Sequence, residues 1–319
     1  MEYKTTPEDD ARRHETQAIR AIVSNKIVAS LGAKNDLFAP HLGLNLTKRT
    51  QPTTPTPYQY EPSLAMIVRG RKRVILGETT YWYDESFCLL TALDLPTITQ
   101  VLSASEEAPY ISVLWKLDLC VAKKLMAHID CGEHLPVYGP AMAVAPATIP
   151  MFDALSRLID LVSVPQDAEI LGDLIQKEML YRLLVSPAGA RLRQIVRLGS
   201  QSNRVAQAVS WLRDNYRSPI RVDELARIAG MGVSTLHHHF RLLTSMSPVQ
   251  FQKHLRLHTA RGLLLTEEMD AGAVALYVGY ESTTQFNREY RRLFGAPPVR
   301  DMKSLRSALE TGNNTATLI

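Results

Sequence analysis

Residues 234–243 read STLHHHFRLL, and the three consecutive histidines first suggest a metal site. On a helix, successive side chains point about 100° apart, so His237, His238 and His239 cannot converge on one ion. Their neighbours indicate another use. Leu236, Phe240 and Leu243 recur at i, i+4 and i+7, the spacing of an apolar stripe. Ser234, His237, His238 and Arg241 recur at i, i+3, i+4 and i+7 on the other side. The segment is predicted as an amphipathic helix with one polar face.

Just upstream, VDELARIAGMGVS (222–234) predicts a short apolar-faced helix over Leu225, Ala226 and Ile228, which Asp223 could cap and Gly230 could end. A short helix, a glycine turn and a polar-faced second helix are the parts of a helix-turn-helix. One such match is weak. Here it recurs in VALYVGYESTTQFNREYRRLFG (274–295), with Phe286, Tyr290 and Leu293 as the stripe and Thr284, Asn287, Arg288 and Arg291 opposite. A shift of 50 residues carries Ser234, His237, His238 and Arg241 onto those four, and Pro248 onto Pro298. FQKHLRLHTARGLLL (251–265) is expected to be a helix fixing the separation of the two copies.

Charge is unevenly placed. Residues 191–300 hold 16 Lys+Arg against 8 Asp+Glu, whereas the remainder holds 20 against 24. Arginine supplies 15 of those 16 cations, and its planar fork suits phosphate and guanine. A basic half beside an acidic one fits a nucleic-acid footprint, and also a merely solvated surface. The three cysteines, Cys88, Cys120 and Cys131, make no disulfide framework in a 319-residue chain and fit a reducing cytoplasm. No stretch reaches the ~18 apolar residues of a membrane span, and the acidic start is not a secretory signal.

The first half has a different texture. Residues 14–31 carry helical spacing, and QPTTPTPYQYEP (51–62) reads as an extended loop. From 63 to about 118, short β-rich runs alternate with turns, which suggests a small antiparallel sandwich or barrel. Residues 119–129 look helical, GPAMAVAPATIP (139–150) reads as a loop, and two amphipathic helices follow, with faces for the barrel or for a second protomer. The expected organisation is α+β with two domains. Residues 1–190 form a β-rich unit with flanking helices, 191–203 a linker, 204–309 an all-α double helix-turn-helix, and 310–319 a disordered tail.

With these residues in view, 204–300 resemble the DNA-binding domain of AraC/XylS-type transcriptional regulators. LARIAGMGVSTLHHHF, RLHTARGLLL and VALYVGYESTTQFNREYRRLFGAPP carry the likeness. VRGRKRVILGETTYWYDESFCLLTALDLP (68–96) resembles the cupin-like N-terminal sensor of one AraC-type subgroup, although Glu85-Ser86 stands where that subgroup often has Pro-Gly. The resemblance implies two recognition helices in successive major-groove faces of double-stranded DNA. It places base readers at Ser234, His237 and His238, and at Thr283, Thr284, Gln285, Asn287 and Arg288. Arg288 suits guanine, and Gln285 or Asn287 suits adenine. Arg241, Arg291 and Arg292 suit phosphate. His238 stands where the family often has arginine, so the first copy is expected to contribute less specificity. An unidentified small-molecule effector, RNA polymerase and a homodimeric partner are further implied, with activation the commoner mode.

Other features keep two readings each. Arg69 and Arg71 of RGRKR could bind an anionic effector or form a charged hairpin turn. Tyr81, Trp82 and Tyr83 could pack or cage a ligand. His254 and His258, at i, i+4, and His128, Cys131 and His134 suggest metal ligands only loosely, and no metal or cofactor is expected. Cys88 reads as an apolar filler. No nucleophile elbow, phosphate loop or carboxylate pair points to an enzyme. A cupin-like enzyme with a DNA-binding appendage would want a His/Glu cluster, yet residues 63–118 contain no histidine. An adaptor with non-specific DNA affinity is the other alternative.

Overall fold

The computed structural model describes residues 7–129, 139–197, 199–266 and 269–310. Cys131, His134 and the tail beyond Glu310 lie outside them. The order is α1 (Pro7–Leu31), β1 (Asp36–Ala39), β2 (Leu44–Arg49), β3 (Thr56–Tyr60), β4 (Ser63–Arg69), β5 (Arg71–Leu76), β6 (Thr79–Asp84), β7 (Phe87–Thr91), β8 (Leu95–Ser103), β9 (Tyr110–Lys116), α2 (Leu119–Met126) and β10 (Met142–Pro146). Then come α3 (Ile149–Asp160), α4 (Pro165–Val185), α5 (Ala190–Val196), α6 (Gln201–Asp214), α7 (Val222–Ile228), α8 (Val233–Thr244), α9 (Pro248–Thr266), α10 (Ala271–Tyr277), α11 (Thr283–Phe294) and α12 (Pro298–Glu310).

The strands form two antiparallel sheets, ordered β1-β2-β9-β4-β7-β10 and β3-β8-β5-β6. Each sheet has two ends, so the β-rich unit is a sandwich and not the closed barrel that "cupin-like" suggested. Val23, Ile27 and Leu31 of α1 are buried and the helix packs against β2 and β4. That second cover explains why SLAMIV in β4 is apolar without alternation: both of its faces are buried. β5 instead alternates, with Val74 and Leu76 inward and Arg71 outward.

Two segments read as loops are strands. In 51–62 the prolines masked β3, which lies at a sheet edge where Pro57 needs no amide proton for a ladder. In 139–150 Met142–Pro146 pairs with β7 and so becomes another edge. β1 and β2 were not anticipated either. Part of the expected linker is α5, whose Leu192, Ile195 and Val196 are buried.

The helical half divides unequally. Leu225, Leu236, Phe240 and Phe251 belong to one core continuous with the sandwich. Leu257, Val274, Val278, Phe286, Tyr290 and Met302 form a separate core. The two halves meet through an Arg213–Asp94 ion pair at 3.2 Å and an Ala141 amide that donates to the Leu243 carbonyl at 2.8 Å. In the β5–β6 turn, Gly77 (φ +58) approaches so closely that a Cβ would stand 2.9 Å from the Ser245 carbonyl oxygen.

Candidate nucleic-acid interface

In α8, Leu236, Phe240 and Leu243 point into the core, where the Phe240 and Phe251 rings meet edge to face at 5.5 Å. Ser234, His237, His238 and Arg241 are exposed on the opposite side. α11 repeats this. Phe286 and Tyr290 are buried, whereas Thr283, Thr284, Gln285, Asn287, Arg288, Arg291 and Arg292 are exposed. All eleven expected DNA residues therefore lie on the open faces of two helices, in two groups. His239 and Glu289, at matching positions, are both half-buried at the margin. His239 has its pKa lowered by burial and by His238, whose ring meets it edge to face at 5.1 Å.

The repeat of 50 holds for α8 and α11, but α7 maps onto α10 with a shift of 49. The extra residue sits in the second turn, 278–282 against 229–232. Gly230 (φ +60) and Gly279 (φ +93) both take the left-handed region. Gly279 has a second reason to be glycine, because a Cβ would fall 2.1 Å from the Arg217 carbonyl oxygen.

That close approach is held by side chains the sequence did not single out. From α9, the Arg256 guanidinium donates to the carbonyls of Tyr216, Arg217, Ser218 and Gly279 at 2.7, 2.9, 3.2 and 2.8 Å. Gln252 adds bonds to Tyr216 and Ser218. The connecting helix thereby holds the loop after α6 and the turn before α11 together. Deeper in the second unit, Arg261 binds Asp301 through Nε and Nη2 at 2.8 and 3.1 Å, and the Tyr290 hydroxyl donates to the same carboxylate at 2.8 Å. Glu289 accepts from Lys253, Tyr280 and Gln285. Burial alone would raise its pKa, and these bonds outweigh burial and lower it.

Among the described residues, no group of three or more His, Cys, Asp or Glu could hold a metal. The His254 and His258 rings stack at 6.4 Å, and burial lowers both pKa values. Cys88 is buried, its thiol donates to the Ala145 carbonyl, and burial pushes its pKa up to about 11.

The five expected effector residues do not gather. Arg69 and Arg71 are exposed beside Gly70 (φ +98). Trp82 is exposed beneath the Arg73 guanidinium, 5.3 Å from its ring centre. Tyr81 is half-buried, with burial raising its pKa. Tyr83 lines a cavity of about 70 Å³ between the sheets, in company with Arg49, Tyr58, Lys72 and Tyr110. A second cavity, about 490 Å³, lies where Tyr58, Gln59 and Asp94 meet Arg213, Leu255 and His258. Strand alternation in RKRV was the signal that could have picked Lys72 over its arginine neighbours.

A β-sandwich joined to a doubled helix-turn-helix defines the class. The family described as "AraC-type transcriptional regulator N-terminus" matches residues 40–191, and a helix-turn-helix domain matches 225–304. The chain belongs to the AraC-type transcriptional regulators. It is 29% identical to the HTH-type transcriptional regulator ArgR of Pseudomonas aeruginosa over 49% of this chain and 48% of that one. With the virulence regulon transcriptional activator VirF of Yersinia enterocolitica it shares 30% identity over 40% and 47%. The chain thus spans about half the length of these curated relatives. Fatty-acid-bound ToxT of Vibrio cholerae shares the fold, with a TM-score of 0.53 at 12% identity over 81% of this chain and 94% of that one.

Proposed function

We propose that this protein is a sequence-specific, DNA-binding transcriptional regulator whose β-rich half senses a small molecule. The observation that carries this reading is the repeated exposed polar face of α8 and α11 on matched buried stripes. In this reading Ser234, His237 and His238 read one box, and Thr283, Thr284, Gln285, Asn287 and Arg288 read the next. Arg241, Arg291 and Arg292 hold phosphates. Effector binding shifts the population of DNA-competent arrangements. The named relatives are regulators, which supports a non-enzymatic role, and VirF is named an activator, which supports activation through RNA polymerase. ToxT, solved with an unsaturated fatty acid, supports the sensor assignment by fold alone. The domains are residues 1–190 and 204–309. No helix among the described residues is long and apolar enough to cross a membrane, and a cytoplasmic place is part of the proposal. A homodimer is also part of it, supported by Ile170, Leu174, Tyr181 and Val185, which leave an apolar face of α4 exposed.

Genomic fragments retained by full-length protein at near-physiological salt test the proposal. Enrichment of paired boxes about one helical turn apart is expected. If neither the whole chain nor residues 191–319 enriches any sequence, the reading is wrong.

A further inference from the structure

Inside the sandwich sits a cation that finds no carboxylate among the described residues. Lys72 occupies an inward position of β5, opposite Tyr83 of β6 and Val101 of β8. Its ammonium donates to the Tyr60 hydroxyl at 3.2 Å and stands 5.8 and 5.6 Å from the Tyr58 and Tyr60 ring centres. Burial lowers its pKa; the Tyr110 phenol partly offsets this, and Arg49 repels the ammonium and adds to the lowering. The carboxylate of Asp36 is already committed to Arg49 at 3.0 Å and to the Thr47 hydroxyl. A half-buried charge that, among the described residues, is held only by phenols is costly unless an anion joins it.

The space beside it is a built site. The cavity of about 70 Å³ draws its lining from both sheets, including Asn45, Thr47, Lys72, Tyr83, Thr99 and Tyr110. Tyr83 is 3% exposed, and its enclosed hydroxyl turns toward the Tyr60 hydroxyl, the same oxygen that accepts from Lys72. The Lys72 ammonium and the Tyr83 hydroxyl stand side by side on one wall of the cavity, as cross-strand neighbours of β5 and β6, so both can turn to the two oxygens of one carboxylate. We propose that this cavity is the effector site and that it takes a small organic monoanion, a short-chain carboxylate. The inference rests on the β-rich half being a sensor, and it names the ligand chemistry. One unneutralised cation calls for one negative charge; a phosphate dianion would bring in a second charge with no partner. The volume suits a carboxylate on a few carbons and excludes a sugar-sized body unless the sheets part.

The route outward is edge strand β3. Thr56 and Tyr58 face this cavity, whereas Pro57 and Gln59 face the larger one against α9, and Tyr58 borders both. Both ends of the Gln59 amide are enclosed there without a partner. An anion that draws the Lys72 ammonium off the Tyr58 and Tyr60 rings frees the strand that abuts the connecting helix.

The test uses full-length protein with acetate, butyrate and benzoate, each set against its primary amide. Calorimetry should show at least one carboxylate binding at least about tenfold tighter than its amide. NMR of the lysine Cε should show the Lys72 titration moving up on binding. Lys72→Met should abolish that preference and Lys72→Arg should retain part of it. Equal binding of acid and amide, or no binding of any acid at its highest soluble concentration, overturns the site. So does unchanged binding by Lys72→Met. If that variant fails to fold, the acid-against-amide comparison on the parent decides alone. Binding is read without DNA, so a chain that takes carboxylate yet selects no operator refutes the regulator reading and leaves the site standing. Carboxylate binding that leaves operator affinity unchanged refutes the β3 route.

Discussion

α8 begins at Gly232 with no side-chain cap and ends at Ser245, a non-glycine residue at φ 59. α11 begins at Ser282, whose hydroxyl accepts from the Gln285 amide, and ends at Gly295. The helix before it, α10, is capped as well, by Asp270 accepting from Gly272 and Ala273, whereas α7 starts at Arg221 without a side-chain cap. The first unit shares its core with the sandwich, and the second has its own. Two copies of one plan thus draw their stability from different places. The second is closed locally, by caps and a buried ion pair. The first leans on the β-rich half through Gly77, Ala141 and Asp94, the contacts that coupling to an effector would use under the proposed function.

The sharpest way to break this contrast is Asp301→Ala. It leaves Arg261 buried without its partner and the Tyr290 hydroxyl without an acceptor, a loss of about 3–5 kcal/mol. Hydrogen exchange should then open α10–α12 while α6–α8 stay protected; uniform opening would mean the second unit is not self-contained. Acid should act on the same unit. Burial holds His258 neutral, its pKa down to about 3, against an unfolded value of about 6.5. The native state resists the proton, so this stability is complete above about pH 6.5 and is lost progressively as pH falls toward 3. His258→Gln should flatten that part of a stability-against-pH curve, measured by urea unfolding.

At the DNA, Arg288→Ala should relax preference at one base pair and cost about 1–3 kcal/mol. Arg291→Ala should weaken all sequences alike, and His238→Ala should change selectivity less than Arg288→Ala. Binding across a library of site variants checks all three. The smallest effects are at the caps. Ser282→Ala should cost about 1 kcal/mol, whereas Gly232→Ser, with nothing nearer its Cβ than Thr235 Oγ1 at 3.9 Å, should gain a few tenths. Thermal unfolding of the pair would show whether the caps account for the asymmetry.

The two exposed polar faces were legible because a helix repeats every 3.6 residues and each face carries one chemistry, so Leu236 and His237 declare opposite sides. The doubling made the pattern specific. β3 and β10 were not legible, since edge pairing forgives the prolines that normally mark loops. Nor was Lys72: three cations in a row look alike until strand direction decides which one turns inward. The Arg256 bonds left no trace either, because their acceptors are backbone carbonyls, which every residue has.

Those Arg256 bonds make the protein a ruler. One guanidinium fixes how far the turn before α11 stands from the loop leading to the first unit, so under the proposed function the distance between the two reading heads is set before any duplex arrives. A base pair inserted between the two boxes rotates one box by about 35° around the helix axis, away from a head that cannot follow. A worn letter within a box costs a contact. A changed spacing costs a whole head.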